Sequence, residues 1–500
     1  MSNRWQVRPI IEKGHAIGGA AGCHTQCNIY CLATGLADDN ATDMAFPDDF
    51  LFGAATAAYQ VEDGKGESVW DYVVHNFPER VEDGTTADVT CDSYHKYKED
   101  VAMLKELGVN FYRFSIAWTR IMPNGTADYI NEAGVSYYRN LIKELKDNGI
   151  ESMITLYHWD LPQQLADIGG WLEDSMIDIY AEYARTCFQL FGDDVKFWTT
   201  FNEIKEFCQL GYGEGGLPPL HYEPGIGEYK CTRVVLKAHA KAYRIYDEEF
   251  RATQNGMIGA IFDTHWFEPR TNSSEDVAAA EQGRQFSFGW FANPIVNGDY
   301  PEIMKTRIAD RSAKEGFNQS RLPEFTEDEI GVHQRYLRLY RSQHCIEEPE
   351  IGDPSYSKDM AVSQYQSPDW EGSSISWLKV VPWGIRGLLN WVRETYNDPY
   401  VIVTENGYAD DGVLDDDMRI HYYQSYISNV RLAMDDGVKV LAYTAWSLMD
   451  NYEWLNGYTK KFGLYNVDFN DPNRTWTPKK SMEYYKKVIA THCVIDNCTR

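Results

Sequence analysis

Two glutamates stand out by where they fall. Glu405 lies in the run Val401-Ile-Val-Thr-Glu-Asn-Gly407, and Glu203 ends Lys196-Phe-Trp-Thr-Thr-Phe-Asn-Glu203. Each is a carboxylate delivered by a short apolar segment, beside an asparagine able to donate and accept hydrogen bonds. Two such groups facing one substrate are the equipment for cleaving a glycosidic bond. One, protonated, assists the leaving oxygen; the other, ionised, attacks or stabilises the anomeric carbon. The plainer alternative is that Asn202-Glu203 is a satisfied pair at a helix start and that Glu405 caps a turn. A metal centre is a weaker rival, because His158 and His265 lack helical ligand spacing, and no metal or other cofactor is expected.

Apolar β-branched runs without polar alternation suit strands covered on both faces, as in parallel sheets flanked by helices. From Asp92 onward one pattern recurs: an amphipathic helical stripe, a glycine stop, a short apolar strand. Asp92–Leu107 stops at Gly108 and leads to Val109–Ser115; Glu132–Asp147 stops at Gly149 and leads to Ile150–Leu156. Ile177–Phe191 stops at Gly192 before Phe197–Phe201, and Val234–Phe250 stops near Gly256 before Met257–Phe262. Val381–Tyr396 leads to Tyr400–Thr404; Ile420–Met434 stops at Gly437 before Val438–Ala445. These glycines are read as left-handed helix stops. Repeated units of this kind make a parallel sheet, either open or closed into a barrel. The strand ends choose: Arg113, His158, Glu203, His265, Glu405 and Trp446 are all polar or aromatic, and a barrel gathers one group per strand on a single rim. Neither GxGxxG after the first strand nor GxxxxGK[ST] is present, so nucleotide folds have little support.

The chain's 500 residues allow two ordinary domains or one large barrel with long loops. Aromatics reach 14%, with 34 Tyr and 15 Trp, in keeping with a cleft that uses flat rings as sugar platforms. A net charge of −28 argues against a nucleic-acid partner. No stretch approaches the roughly 20 apolar residues of a membrane span. Residues 1–45 read as an atypical leader, in which only Ile29–Ala37 resembles the apolar end and cleavage site of a signal peptide. Asn-x-Ser/Thr acceptors at Asn40, Asn124, Asn272, Asn318, Asn473 and Asn497 fit a secreted glycoprotein.

Several motifs carry a family likeness: Phe46-Pro-Asp-Asp-Phe-Leu-Phe-Gly-Ala-Ala-Thr-Ala-Ala-Tyr-Gln60, Tyr112-Arg-Phe-Ser-Ile-Ala-Trp118, Tyr157-His-Trp-Asp160, Thr200-Phe-Asn-Glu203, Val403-Thr-Glu-Asn-Gly407 and Ala445-Trp-Ser-Leu-Met-Asp-Asn-Tyr-Glu-Trp454. By these the chain resembles family 1 glycoside hydrolases, the β-glucosidase family, over Phe46 to Ala490, and especially insect β-glucosidases and myrosinases. The resemblance implies a single-domain α/β fold, a (β/α)8 barrel over 46–491, followed by a tail at 492–500. It also implies a retaining double displacement with Glu203 as acid/base and Glu405 as nucleophile, the carboxyls about 5–5.5 Å apart. Arg113, which the family places beside the nucleophile, would keep Glu405 ionised, while burial and the second carboxylate would favour the protonated form of Glu203. Gln60, His158, Asn202, Trp446, Glu453 and Trp454 would grip the sugar, and Trp377 matches a position on the aglycone side, although a core role for it is nearly as fitting. A carboxylate at Glu453 would repel phosphate, so an unphosphorylated glycoside is the expected small-molecule partner. Secreted relatives often carry a disulfide where Cys208 and Cys231 fall; Cys493 and Cys498 are close enough in sequence to pair or to stay free. The role of Cys23, Cys27 and Cys31 is not indicated. The oligomeric state is left open, a homodimer being one option.

Two departures stand against this. The loop after Tyr59-Gln-Val-Glu62 is shorter than the family's, lacking a Gly-Ala-Trp-type segment before Asp63-Gly-Lys-Gly66. Where the family has its sixth strand, an apolar run ending in Asn-x-Tyr, this chain has the basic segment Ile330 to His344. The sixth strand is therefore expected to be irregular, over Arg335 to Tyr340, or missing; a misread or alternative exon is another reading. The tyrosine lost with that motif touches the nucleophile in the family, and Tyr336 or Tyr340 are the candidates to replace it. Three functions stay open: a β-glucosidase, a catalytically weak or silent sugar-binding relative, and a thioglucosidase acting on plant glucosides.

Overall fold

The computed structural model describes residues 44–326, 329, 336–337, 340–346, 352–495 and 498, with the backbone alone at 336–337 and 340–346. The leader, Asn40, Asn497, Cys23, Cys27 and Cys31 lie outside the described residues, as do the side chains of Tyr336 and Tyr340.

Eight strands form the barrel: β1 (Leu51–Ala55), β2 (Phe111–Ser115), β3 (Glu151–Tyr157), β4 (Phe197–Asn202), β5 (Met257–Phe262), β6 (Tyr336–Leu337), β7 (Tyr400–Asn406) and β8 (Lys439–Trp446). Each pairs in parallel with its neighbours in the chain, and β8 closes the ring on β1. This is the expected (β/α)8 topology. Leu51, Phe111, Met153, Phe197, Ile261, Ile402 and Ala442, from seven of the eight strands, form a buried apolar cluster of their own. Layers of inward side chains fill such a barrel, and the chemistry collects at the strands' C-terminal ends.

Among the described residues the sixth strand comprises Tyr336 and Leu337. Tyr336 pairs with Ile261, while Leu337 pairs with Phe262 on one side and Val403 on the other. Leaving it out would expose two ladder edges inside a closed structure, where unpaired N–H and C=O groups are costly. The chain then runs on as Tyr340–Ile346, parallel to His265–Pro269 and antiparallel to Val362–Tyr365, in a small sheet outside the barrel. His265 thus opens this outer sheet instead of ending β5, a correction to the reading of the rim.

Both flanks of the divergent segment are fastened. The Arg321 guanidinium donates from Nη1 to Asp359 Oδ2 at 2.8 Å and from Nη2 to Oδ1 at 2.6 Å, and Tyr229 donates to Oδ2 at 2.7 Å. Asp359 is fully buried.

The glycine stops divide into two kinds. Gly108, Gly149 and Gly437 have φ of +77°, +76° and +100°, as expected. Gly192 keeps a right-handed φ of −66°, and its constraint is contact: a Cβ there would run into the Gln254 side chain. The left-handed stop before β5 is Asn255, at φ +51°, and not Gly256. Asparagine tolerates this region because its short polar side chain bonds locally.

Cys208 and Cys231 form a disulfide with Cα atoms 5.5 Å apart, and Cys493 pairs with Cys498. Among the described residues no helix is long and apolar enough to cross a membrane.

Asp100 yields a stability prediction. It lies on the core side of the helix Ser93–Leu107, and burial pushes its carboxyl up to about 7. An unfolded aspartate titrates near about 4, so the stability tied to the protonated form is present below about pH 4 and lost as pH rises toward 7. Asp100→Asn is expected to stabilise the fold by on the order of 2 kcal/mol at pH 8 and hardly at all at pH 4. Thermal melts at both pH values check this; equal gains at the two would refute it.

Candidate active site

Arg113 is the hub. It projects from β2, is 1% exposed, and donates to groups on three other strands. Nε reaches Thr155 Oγ1 at 3.2 Å, Nη2 reaches Asn202 Oδ1 at 2.7 Å, and Nη1 reaches both the Thr404 carbonyl at 3.3 Å and Glu405 Oε1. A guanidinium suits this role because its donors are fixed in a planar fork. A buried positive charge also demands a buried negative one, and Glu405, 1% exposed, supplies it.

Asn202 carries the connection onward. Its carbonyl oxygen is held by Arg113, so its amide nitrogen faces the other way and donates to His158 Nε2 at 3.0 Å and to Glu203 Oε2 at 3.2 Å. That fixes His158 as an acceptor at Nε2. Trp159 Nε1 donates to the Asn202 carbonyl at 3.0 Å. Glu405, Arg113, Asn202 and Glu203 are therefore one hydrogen-bonded relay, which links the two glutamates chosen from the sequence.

The backbone is strained where the relay ends. Glu203 sits at φ +50°, Trp159 at +75° and Trp454 at +51°. Left-handed backbone at residues with a Cβ costs about 1–3 kcal/mol each and persists where surrounding contacts over-determine it. For Glu203 the ties include its own N–H, which donates to the Ile261 carbonyl at 3.0 Å.

A second cluster comes from the segments that follow β1 and β8. Gln60 is fully buried, and its Nε2 lies 3.0 Å from Asn451 Oδ1, 2.9 Å from the Tyr452 carbonyl and 3.3 Å from Glu453 Oε2. Its Oε1 has no partner among the described residues. The amide is thus oriented by its nitrogen, and its oxygen is left to accept from a ligand hydroxyl. Trp446 and Trp454 lie on His158 with ring centroids 6.1 Å and 5.9 Å away, and Trp454 also stacks on Tyr59 at 5.8 Å and tilts against Trp159 at 4.6 Å. Trp377 is 45% exposed on the loop after Tyr365, so it is not a core residue.

Glu62, at the start of the loop 62–66, is held by two side chains. Glu62, 3% exposed, accepts from Arg120 Nε at 2.9 Å and from the Tyr138 hydroxyl at 2.9 Å.

The sequence reading missed Asn451 and a buried charged cluster that begins two residues after Glu203. Lys205 Nζ donates to Asp263 Oδ2 at 2.8 Å and pairs with Glu206. Burial pushes Asp263 up to about 7 and His265 down to about 4. The Lys205-Glu206 dipeptide, two residues past Glu203, was the available signal. Among the described residues, Asp63, Asp92 and His95 come close enough together to hold a metal, but His95 Nδ1 already contacts Asp92 Oδ1 at 2.7 Å and Asp63 Oδ2 at 3.1 Å.

The profile of "Glycosyl hydrolase family 1" matches residues 42–494. The chain is 44% identical to Myrosinase 1 of Brevicoryne brassicae, covering 90% of this chain and 99% of that one. It is 45% identical to lactase/phlorizin hydrolase of Homo sapiens over 89% of its own length, and spans about a quarter (24%) of that larger protein. Among solved structures, aphid myrosinase superposes with a TM-score of 0.86 at 43% identity, covering 90% of this chain and 99% of that one.

The relay gives a sharp expectation for Arg113→Lys. A single ammonium cannot replace a fork that contacts β3, β4 and β7 together, so turnover of an aryl β-glucoside should fall by about 100-fold or more while the melting temperature drops only modestly. Steady-state kinetics on folded variant protein checks it, and activity within a few-fold of wild type would remove Arg113 from the site.

Proposed function

We propose that this chain, a glycoside hydrolase that belongs to glycosyl hydrolase family 1, cleaves unphosphorylated β-glucosides with retention, using Glu405 as nucleophile and Glu203 as acid/base. The Glu405–Arg113–Asn202–Glu203 relay supports it above all, because it sets a carboxylate paired with a guanidinium and a second carboxylate on left-handed backbone in one buried, oriented group.

In the first step the Glu405 carboxylate attacks the anomeric carbon while Glu203 gives its proton to the leaving oxygen, so the glycosidic bond breaks as the glycosyl ester forms. In the second, Glu203 takes a proton from water, the hydroxide equivalent attacks the same carbon, and the ester bond to Glu405 breaks. Arg113 holds the charge of Glu405 at the start and end of the cycle. Asn202 and His158 orient the ring, Gln60 and Glu453 accept from its outer hydroxyls, and Trp446 and Trp454 offer flat faces to its C–H surface. Trp377, on an exposed loop, serves the aglycone side. The catalytic barrel is taken as 46–491.

A thioglucosidase is the second reading, favoured by the 44% identity to Myrosinase 1. A thioglucoside's leaving sulfur needs less proton assistance, so both readings share Glu405 and differ in their dependence on Glu203. The altered sixth segment favours a third reading, a silent sugar-binding relative. We also place the protein outside the cell as a glycoprotein: Asn124, Asn272, Asn318 and Asn473 are all exposed.

With p-nitrophenyl β-D-glucoside, Glu405→Gln should lose about 10⁴-fold or more in kcat. Glu203→Gln should keep most of its kcat/KM on a dinitrophenyl glucoside, whose leaving group needs no proton, and lose it on alkyl glucosides, while its kcat falls on both because the second step has lost its base. Folded wild-type protein that binds glucose but releases neither nitrophenol from the aryl glucoside nor glucose from a glucosinolate would establish the silent relative, and glucose released only from the glucosinolate would establish the thioglucosidase. Protein secreted from insect cells should lose mass on treatment with an N-glycosidase; an unchanged mass would end the glycoprotein reading.

A further inference from the structure

We infer that the buried pair Asp450–Lys479 is a positioning device for the sugar clamp Gln60–Asn451–Glu453, a role that rests on the glycosidase reading above. Both residues are essentially inaccessible, at 0% and 1% exposed, and neither touches the relay between the catalytic glutamates. A fully buried ion pair is weak evidence for stability, because desolvation offsets most of its attraction; its attested use is to select one arrangement over others.

The arrangement selected here is that of the loop 447–463, which carries the clamp. The Asp450 carboxylate is the point where three segments join. Oδ1 accepts from Lys479 Nζ at 2.8 Å and from the Gly463 N–H at 2.8 Å, and Oδ2 accepts from Asn466 Nδ2 at 3.0 Å. The loop is thereby cinched at its base: Gly463 lies so close that a Cβ would run into the backbone of Asp450 and Met449. Lys479 is held from behind, its N–H donating to the Leu464 carbonyl at 2.9 Å just before the helix Lys480–Thr491.

The next residue transmits the constraint. Asn451 uses both ends of its amide, donating from Nδ2 to Ser447 Oγ at 2.9 Å and to the Met449 carbonyl at 3.1 Å, which leaves Oδ1 to accept from Gln60. Tyr452 then exchanges backbone and side-chain bonds with Gln60, its N–H donating to the Gln60 carbonyl at 3.1 Å and its carbonyl accepting from Gln60 Nε2. A carboxylate freed of its lysine would pull away toward water, turning Asn451 and releasing the rotamer of Gln60. Loss of the pair should therefore weaken sugar binding and spare the chemical step.

The experiment is steady-state kinetics on p-nitrophenyl β-D-glucoside for Lys479→Met, Lys479→Arg, Asn466→Ala and the surface control Lys480→Met, with melting temperatures for each. Lys479→Met is expected to raise KM about 10-fold while kcat stays within about 3-fold, and Lys479→Arg to recover most of the loss. Should Lys479→Met not fold, Asn466→Ala, which removes one bond from Asp450 Oδ2, is expected to raise KM by about 3-fold. A folded Lys479→Met, or failing that Asn466→Ala, whose KM stays with Lys480→Met and wild type overturns the proposal, whatever kcat does. If wild type has no turnover the glycosidase reading fails by itself, and the same shifts are then sought in the Kd for 1-deoxynojirimycin, a glucose-shaped amine, by titration calorimetry; an unshifted Kd overturns the proposal there.

Discussion

The Arg113–Glu405 ion pair at the centre of the barrel is the constraint on which the rest of the structure depends. A guanidinium sealed from water is tolerable only with a counter-charge and filled donor positions, and removing one partner of such a buried pair costs about 3–5 kcal/mol. Arg113 comes from β2 and Glu405 from β7, so the pair exists only if the strands between them close into a ring. Among the described residues, Tyr336 and Leu337 of β6 bridge β5 and β7, in a ring held also by the other strands and by the cation that ties β2, β3, β4 and β7 together.

The same pair sets the order of everything above it. Arg113 takes the Asn202 carbonyl oxygen, which turns the amide nitrogen toward His158 and Glu203 and so decides the hydrogen-bonding role of each. Strain follows from this fixed frame. Strand geometry would carry the side chain of residue 203 to one face or the other of the sheet, and the left-handed turn at Glu203 brings its carboxylate back to Asn202 instead. The Gln60–Asn451–Glu453 cluster belongs to a different frame, built from loop backbone and from the base of the helix Lys480–Thr491.

Much of this was legible in the sequence, and what was not has a physical reason. Glu203 and Glu405 could be found because parallel strands buried on both faces read as apolar runs, and a charge near the end of such a run is conspicuous. The alternation of helix and strand gave the barrel for the same reason. Helix stops were legible where the need was a left-handed φ, as at Gly108, and misread where the need was space, as at Gly192 beside Gln254, since proximity to a residue sixty positions away leaves no local mark. His265 was misplaced because only Asp263 and Thr264 separate the end of β5 from the start of the outer strand, and two polar residues do not mark a change of sheet. Asn451 and Lys479 were invisible as site-related residues: their partners, Gln60 and Asp450, are brought to them by closure of the chain from end to end.

The segment after Glu329 shows how far a barrel can depart from its family's pattern without losing its frame. Its sequence abandons the apolar run of a sixth strand, yet the chain enters and leaves it under firm control. Arg321 before it and Asp359 after it are locked together in the interior with Tyr229 and Arg311, so the ends of the segment are set by contacts that do not involve the segment itself. Backbone pairing then asks only for extended residues, which Tyr336 and Leu337 supply, since a ladder reads N–H and C=O groups and not side chains. What the departure puts at stake is therefore a question of the side chains on this strand. It is not a question of whether the barrel stands, and this is why the function turns on Glu405 and its neighbours more than on the count of regular strands.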